Sequence, residues 1–161
     1  MDIEKIYFDM DGVLADFVRG VNEICGIDMS VGDDIMFAEI RRIGDFYDRL
    51  EPVPGALKLF RELCARYPGK VEILTAVPKP ERNVPEAKDD KLSWVRRYLG
   101  DGVKVNVVLR REKAGYVKDK GSILIDDTAD NIGMWQQAGG TGILFADTAS
   151  ARKALDSLGI L

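Results

Sequence analysis

The apolar residues of this chain fall into short runs separated by stretches of helical periodicity. Ile3–Phe8, Val71–Leu74, Val105–Leu109, Ile123–Ile125 and Gly142–Phe145 are nearly continuous in Val, Ile, Leu and Phe. Runs without in–out alternation suit parallel strands covered on both faces. Between them, Ala56–Tyr67, Lys88–Leu99, Ala129–Ala138 and Ser150–Leu158 read as helices. In the first of these, Leu57, Phe60, Leu63 and Cys64 recur at helical spacing, and Gly100 and Gly139 stand where the next two should stop. Strands alternating with helices predict an α/β fold, a doubly wound (Rossmann-like) parallel sheet of about five strands.

One region breaks the alternation. From Phe17 to Glu51 no strand is predicted; Val18, Val21 and Ile24, then Ile35, Phe37, Ile40 and Ile43, suggest two helices broken near Gly32. Pro52-Val53-Pro54-Gly55 marks the return to the sheet domain. The expected organisation is therefore an α/β core of residues 1–16 and 52–161, with residues 17–51 as a small helical cap inserted after the first strand. Pro78–Asp90, rich in proline and charge, reads as an exposed loop.

Length and charge narrow the picture. A chain of 161 residues fits one domain with a full core. A net charge of −4 offers no footprint for extended nucleic acid, and no apolar stretch reaches membrane-spanning length. The acidic start, Met1-Asp2-Ile3-Glu4, is unlike a signal peptide. Cys25 and Cys64 lie far apart and read as free thiols in a reducing, cytoplasmic setting. Nothing here fixes the oligomeric state; a homodimer is among the assemblies the sequence allows. The chain contains no histidine, so proton transfer near neutral pH falls to other side chains. Oxygen-ligated ions, Mg²⁺ first, remain the natural metal candidates.

The chemistry-bearing positions fall at the carboxyl ends of predicted strands, the edge where open α/β sheets build their sites. Asp9-Met10-Asp11-Gly12 follows the first strand, Thr75 the second, Lys113 lies beyond the third, and Asp126-Asp127 close the fourth. Two aspartates one residue apart can divide nucleophilic attack on phosphorus and proton transfer, and can share a divalent cation. A lone strand-end aspartate is usually a cap or a solvated turn, but this ordered set argues against that.

The Asp-x-Asp-Gly segment, with hydroxyl, lysine and acidic pair in this order, resembles the haloacid-dehalogenase superfamily of phosphotransferases. Within it, Asp9 to Phe17, Leu50-Glu51-Pro52-Val53-Pro54-Gly55-Ala56, Leu124-Ile125-Asp126-Asp127 and Lys91-Leu92-Ser93-Trp94-Val95 resemble the 5′(3′)-deoxyribonucleotidases, the C-type nucleotidases. That resemblance implies a magnesium-dependent hydrolase taking part in deoxyribonucleotide catabolism. Its substrate would be a small-molecule phosphomonoester, a nucleotide, with no extended nucleic acid and no membrane as partner.

It implies Asp9 as nucleophile, Asp11 as acid–base, and Mg²⁺ held by Asp9, the Asp11 carbonyl and Asp127. Thr75 and Lys113 would take the phosphate, with Asp126 and Asn131 supporting. Lys91, Lys118 and Lys120 compete with Lys113 for its role; Lys113 is preferred because Leu109-Arg110-Arg111-Glu112-Lys113 directly follows a strand. Phe17 would stack on a nucleobase, with Phe46 or Tyr47 walling the pocket.

The chain departs from the family pattern at three places. Ala76 replaces a second hydroxyl, Thr128 stands where human-type members carry arginine, and the cap is shorter. A sugar phosphate or another small phosphoester is the alternative substrate. A phospho-accepting domain of the response-regulator type would also use Asp, Thr and Lys, but with its acidic pair on the first strand and its phosphorylated Asp on a middle one. The order here is the reverse.

Overall fold

A computed structural model describes residues 1–161. Five parallel strands, β1 (Lys5–Phe8), β2 (Val71–Ala76), β3 (Val105–Val108), β4 (Ser122–Asp126) and β5 (Thr141–Leu144), form one sheet in the order β3-β2-β1-β4-β5. β1, β2 and β4 are buried almost throughout, as their continuous apolar runs require. Helices α3 (Ala56–Arg66), α4 (Ala87–Leu99) and α5 (Ala129–Gln137) lie between strands, and α6 (Thr148–Ser157) follows the last one. One face packs a large core in which Phe8 meets Phe60 edge-on. The other holds a smaller cluster of Tyr7, Leu74, Leu124, Ile132 and Trp135.

Two elements differ from the sequence reading. Helix α4 begins at Ala87, so the last residues of the expected Pro78–Asp90 loop are its first turn. The loop also contains a 3-10 turn, Pro80–Arg82. The helix start lies one residue before the Lys88 expected for it; the helix is anchored by Ala87, Lys91, Trp94 and Val95 on its buried face, and Trp94 Nε1 donates to the Leu50 carbonyl at 2.7 Å.

Between β1 and β2 lie α1 (Phe17–Glu23) and α2 (Asp33–Ile43), with Gly32 capping α2 at φ +87°. Both ends of this insertion pass through one narrow neck. The Asp16 amide donates to the Glu51 carbonyl at 2.8 Å, and the Val53 amide donates to the Leu14 carbonyl at 2.8 Å. Ala15 and Pro52 form an isolated antiparallel bridge between these contacts. No helix is long and apolar enough to cross a membrane.

Asp90, in the first turn of α4, has a buried carboxylate oxygen with no hydrogen-bond partner. Desolvation, reinforced by Asp48, Glu86, Asp45 and Asp89, pushes its carboxyl from 3.8 up to about 6. A folded pKa above the unfolded one stabilises below about pH 4, and that stabilisation is lost as pH rises through about 6. Asp90→Asn is therefore expected to raise stability at pH 7.5 by about 1 kcal/mol, a figure already reduced for solvent screening. In thermal melts the gain should vanish at pH 4. A loss of stability at pH 7.5 would show that the charge is better accommodated than its surroundings suggest.

Candidate active site

The strand order reverses direction between β1 and β4, and such a switch point opens a crevice at the carboxyl ends of the two strands. Register then sets the neighbours. Phe8 pairs with Ile125 on one side and Ile73 on the other, so Asp9 emerges beside Asp126, with Thr75 close by at the end of β2. The crevice is a cleft of about 470 Å³. Asp9, Asp11, Asp127, Lys113, Asn131 and Phe17 all line it, together with Tyr47 and Arg110.

After Asp9 the chain folds back on itself, with the Leu14 and Ala15 amides both donating to the Met10 carbonyl at 2.9 Å. Gly12 is required twice in this turn. Its φ of +80° disfavours any side chain, and a Cβ there would lie 2.1 Å from Asp127 Oδ2. The missing side chain is what lets the Asp127 carboxylate lean over the turn towards Asp9. Carboxylate oxygens of Asp9, Asp126 and Asp127 lie within 4.8 Å of one another.

Two buried lysines divide these charges. Lys113 Nζ donates to Asp9 Oδ1 at 2.9 Å and to Asp126 Oδ2 at 2.8 Å. Lys91 Nζ, fully buried, donates to Asp11 Oδ2 at 2.7 Å, Thr75 Oγ1 at 2.8 Å and the Ala76 carbonyl at 2.9 Å. Asp11 Oδ1 is left buried without a partner. Burial pushes the Asp9 carboxyl up to about 7; Lys113 opposes this shift while Asp126 and Asp11 add to it. Burial pulls the Lys113 ammonium down, but the carboxylates of Asp9 and Asp126 outweigh it and hold the group above the ordinary lysine value.

Asp126 is wholly buried and accepts from the Thr128 amide at 2.9 Å and from Asn131 Nδ2 at 3.0 and 3.2 Å. Its oxygens are thus occupied by protein donors. Of the three carboxylates, Asp9 and Asp127 remain as oxygen donors suited to a hard divalent cation.

Three expectations need revision. Phe46 does not line the cleft; it is buried and packs edge-on behind Phe17 at 5.5 Å, while Tyr47 takes the wall position. Thr75 lies beneath the cleft floor with no exposed surface, its hydroxyl engaged by Lys91. Lys91, the rival of Lys113 for the phosphate, is a partner of Asp11, and all its donors point at protein acceptors. The sequence signal for Lys91 was its helical spacing to Trp94 and Val95, which puts a lysine on a buried face. Arg110 was missed altogether, because arginines beside a strand end are usually solvated.

A family model described as 5′ nucleotidase, deoxy (Pyrimidine), cytosolic type C protein matches residues 30–156. The chain is 29% identical over 153 residues to the human mitochondrial 5′(3′)-deoxyribonucleotidase, covering 80% of this chain and 64% of that one. It therefore spans just under two thirds of that relative's length. To the human cytosolic-type 5′(3′)-deoxyribonucleotidase it is 26% identical over 148 residues, covering 76% and 70% of the two chains. Among solved structures, a HAD family hydrolase from Deinococcus radiodurans R1 with bound phosphate and sodium superposes with a TM-score of 0.60 at 13% identity. That match covers 99% of this chain and 97% of the other, and it shows a shared fold. With the family model spanning most of its length, the chain belongs to the cytosolic type C deoxy 5′ nucleotidase family.

Proposed function

We propose that this protein is a Mg²⁺-dependent phosphomonoesterase that hydrolyses deoxyribonucleoside monophosphates through an aspartyl-phosphate on Asp9. The observation that carries this reading is the state of Asp9. One of its oxygens is held by Lys113, the other has no protein partner, and the side chain lines a cleft beside Asp11 and Asp127.

The donors present fit a hard cation. Carboxylate oxygens of Asp9 and Asp127 lie within 4.8 Å of each other, and Gly12 leaves the space into which Asp127 leans. Asp9, Asp127 and the Asp11 carbonyl would hold Mg²⁺. When bound, the cation would supply charge neutralisation between an anionic nucleophile and a phosphate dianion.

In the first step Asp9 Oδ2 bonds to phosphorus while the ester P–O bond breaks, and Asp11 gives its proton to the departing oxygen. In the second, Asp11 takes a proton from water as that water attacks the aspartyl-phosphate, which releases phosphate and restores Asp9. Lys113 fixes the attacking carboxylate between β1 and β4, and Asp126, itself held by Asn131, fixes Lys113. Residues 17–51 act as a cap on their narrow neck over a core of residues 1–16 and 52–161, bringing Phe17 and Tyr47 to the wall where a base would lie.

The test is Mg²⁺-supported phosphate release from dUMP, dTMP, dGMP, UMP, a 3′-deoxynucleotide and several sugar phosphates. Deoxynucleotides are expected to exceed sugar phosphates in kcat/KM by about tenfold or more, a gap that apolar and stacking contacts to a base can supply. Chelation of the metal should abolish release. Equal or faster release from sugar phosphates would keep the chemistry and discard the nucleotide as substrate.

A further inference from the structure

Two lysine ammonium groups stand at the cleft, Lys113 on its lining and Lys91 buried behind it. Lys91 is fully buried with three protein acceptors, and Lys113 is nearly so with Asp9 and Asp126. An entering phosphate dianion meets at the same place the carboxylates of Asp9, Asp11 and Asp127. Lys91 has no donor to spare and Lys113 only one, so a dianion among these carboxylates calls for a further cation on the cleft wall. Lys79 and Arg82 lie on the loop after β2; Lys79 lines the cleft with no side-chain hydrogen bond to aim it, and Arg82 is committed to Asp34 at 2.6 Å and to the face of Phe37.

Arg110 is placed differently. It opens the 3-10 helix Arg110–Tyr116, in which residues three apart eclipse, so its side chain lies on the same side as that of Lys113. Its Nε donates to Asn131 Oδ1 at 2.7 Å, and Asn131 is itself buried and bonded to Asp126. The fork is therefore aimed by the same network that fixes Lys113. Its outer nitrogens have only a 3.5 Å contact with Asp130, which is 86% exposed, a pair of little worth in water. Asp127, Thr128 and Asn131 complete this wall of the cleft, and Thr128 brings no charge to it.

We propose that Arg110 is a second substrate-facing cation of the phosphate subsite beside Lys113, its outer nitrogens donating to non-bridging oxygens of the bound phosphoryl group. The role suits arginine, whose planar fork can be pinned through one nitrogen and still present two donors to an oxyanion. This inference rests on the phosphomonoesterase reading, and its test uses inorganic phosphate so that the two can fail separately.

Calorimetric binding of inorganic phosphate in the presence of Mg²⁺ is compared for the wild type, Arg110→Lys and Arg110→Ala. Substrate kcat and KM are measured in parallel, with thermal melts to verify folding of the half-exposed position. Arg110→Ala is expected to weaken phosphate binding by about tenfold and to raise KM to a similar degree, with kcat changed by less than about threefold. Arg110→Lys should fall between, because it keeps the charge and loses the Nε anchor. Unchanged phosphate affinity in Arg110→Ala overturns the proposal, whatever happens to kcat or KM. A wild type that binds phosphate through Arg110 but hydrolyses no ester would leave the subsite standing and remove the enzymatic reading.

Discussion

Asp9→Asn should lower phosphate release by at least about 10³-fold, the scale seen when a covalent nucleophile is removed. The amide cannot form the phosphoryl ester, whereas its carbonyl oxygen can still accept from Lys113 as Asp9 Oδ1 does at 2.9 Å. It also takes one negative charge out of a crowded set. Burial together with Asp126 and Asp11 already pushes the Asp9 carboxyl up to about 7 against the pull of Lys113, so the native charge is held at a cost. The variant should accordingly stay folded, with stability within about 1 kcal/mol of the wild type. The check is phosphate release alongside thermal melts. More than a tenth of wild-type activity in a folded Asp9→Asn protein would remove Asp9 as the nucleophile.

Lys91→Met should produce the second largest loss, and one whose size depends on the leaving group. Lys91 touches no substrate in this geometry; it aligns Asp11 through Oδ2 and ties the same ammonium to Thr75 and the Ala76 carbonyl. Methionine keeps most of the buried stem and loses all three donors. If Asp11 protonates the leaving oxygen, misaligning it should cost roughly 10² to 10³ in kcat on a deoxynucleotide, whose alkoxide needs that proton. On p-nitrophenyl phosphate, whose leaving group is a much weaker base, the loss should stay below about tenfold. Stability should fall by about 2–3 kcal/mol, because Thr75 and the Ala76 carbonyl are left buried with unmet acceptors. Equal slowing on both esters would mean that Lys91 serves the fold or the phosphate rather than the proton.

These two lysines also show how differently two side chains of one type can be used in a single cleft. Lys113 joins the strand-end carboxylates of β1 and β4 across the switch point, and Lys91 joins the β1 turn to the end of β2. Together they hold the acidic residues in a fixed array before any substrate or cation arrives. Preorganisation of this kind is what phosphoryl transfer asks of a protein, since its catalysis is mostly positioning and charge neutralisation.

Much of this was legible in the order of residues. Continuous apolar runs at Ile3–Phe8, Val71–Leu74 and Ile123–Ile125 suit strands covered on both faces, and the polar residues that follow them then open on one edge of the sheet. That two helices, α1 and α2, follow the first strand before the next begins was legible for the same reason, as helical periodicity with Gly32 at the break. The Asp-x-Asp-Gly turn and the acidic pair stand where the apolar runs placed them, at the carboxyl ends of β1 and β4.

Tertiary structure alone decided which charge meets which. Lys113 is 104 positions from Asp9 and Lys91 is 80 from Asp11, so their pairing depends on strand order and register, which no local window contains. The same holds for Phe46, whose composition suits a pocket wall but whose position on the returning arm of the insertion buries it behind Phe17. Thr75 stands at the strand end the sequence predicted, yet the approach of α4 places Lys91 on its hydroxyl beneath the cleft floor. Arg110 gained its aim from Asn131, 21 positions away on α5. Backbone periodicity is a local property and can be read along the chain; the direction and partners of a polar side chain are set by whatever the fold brings against it.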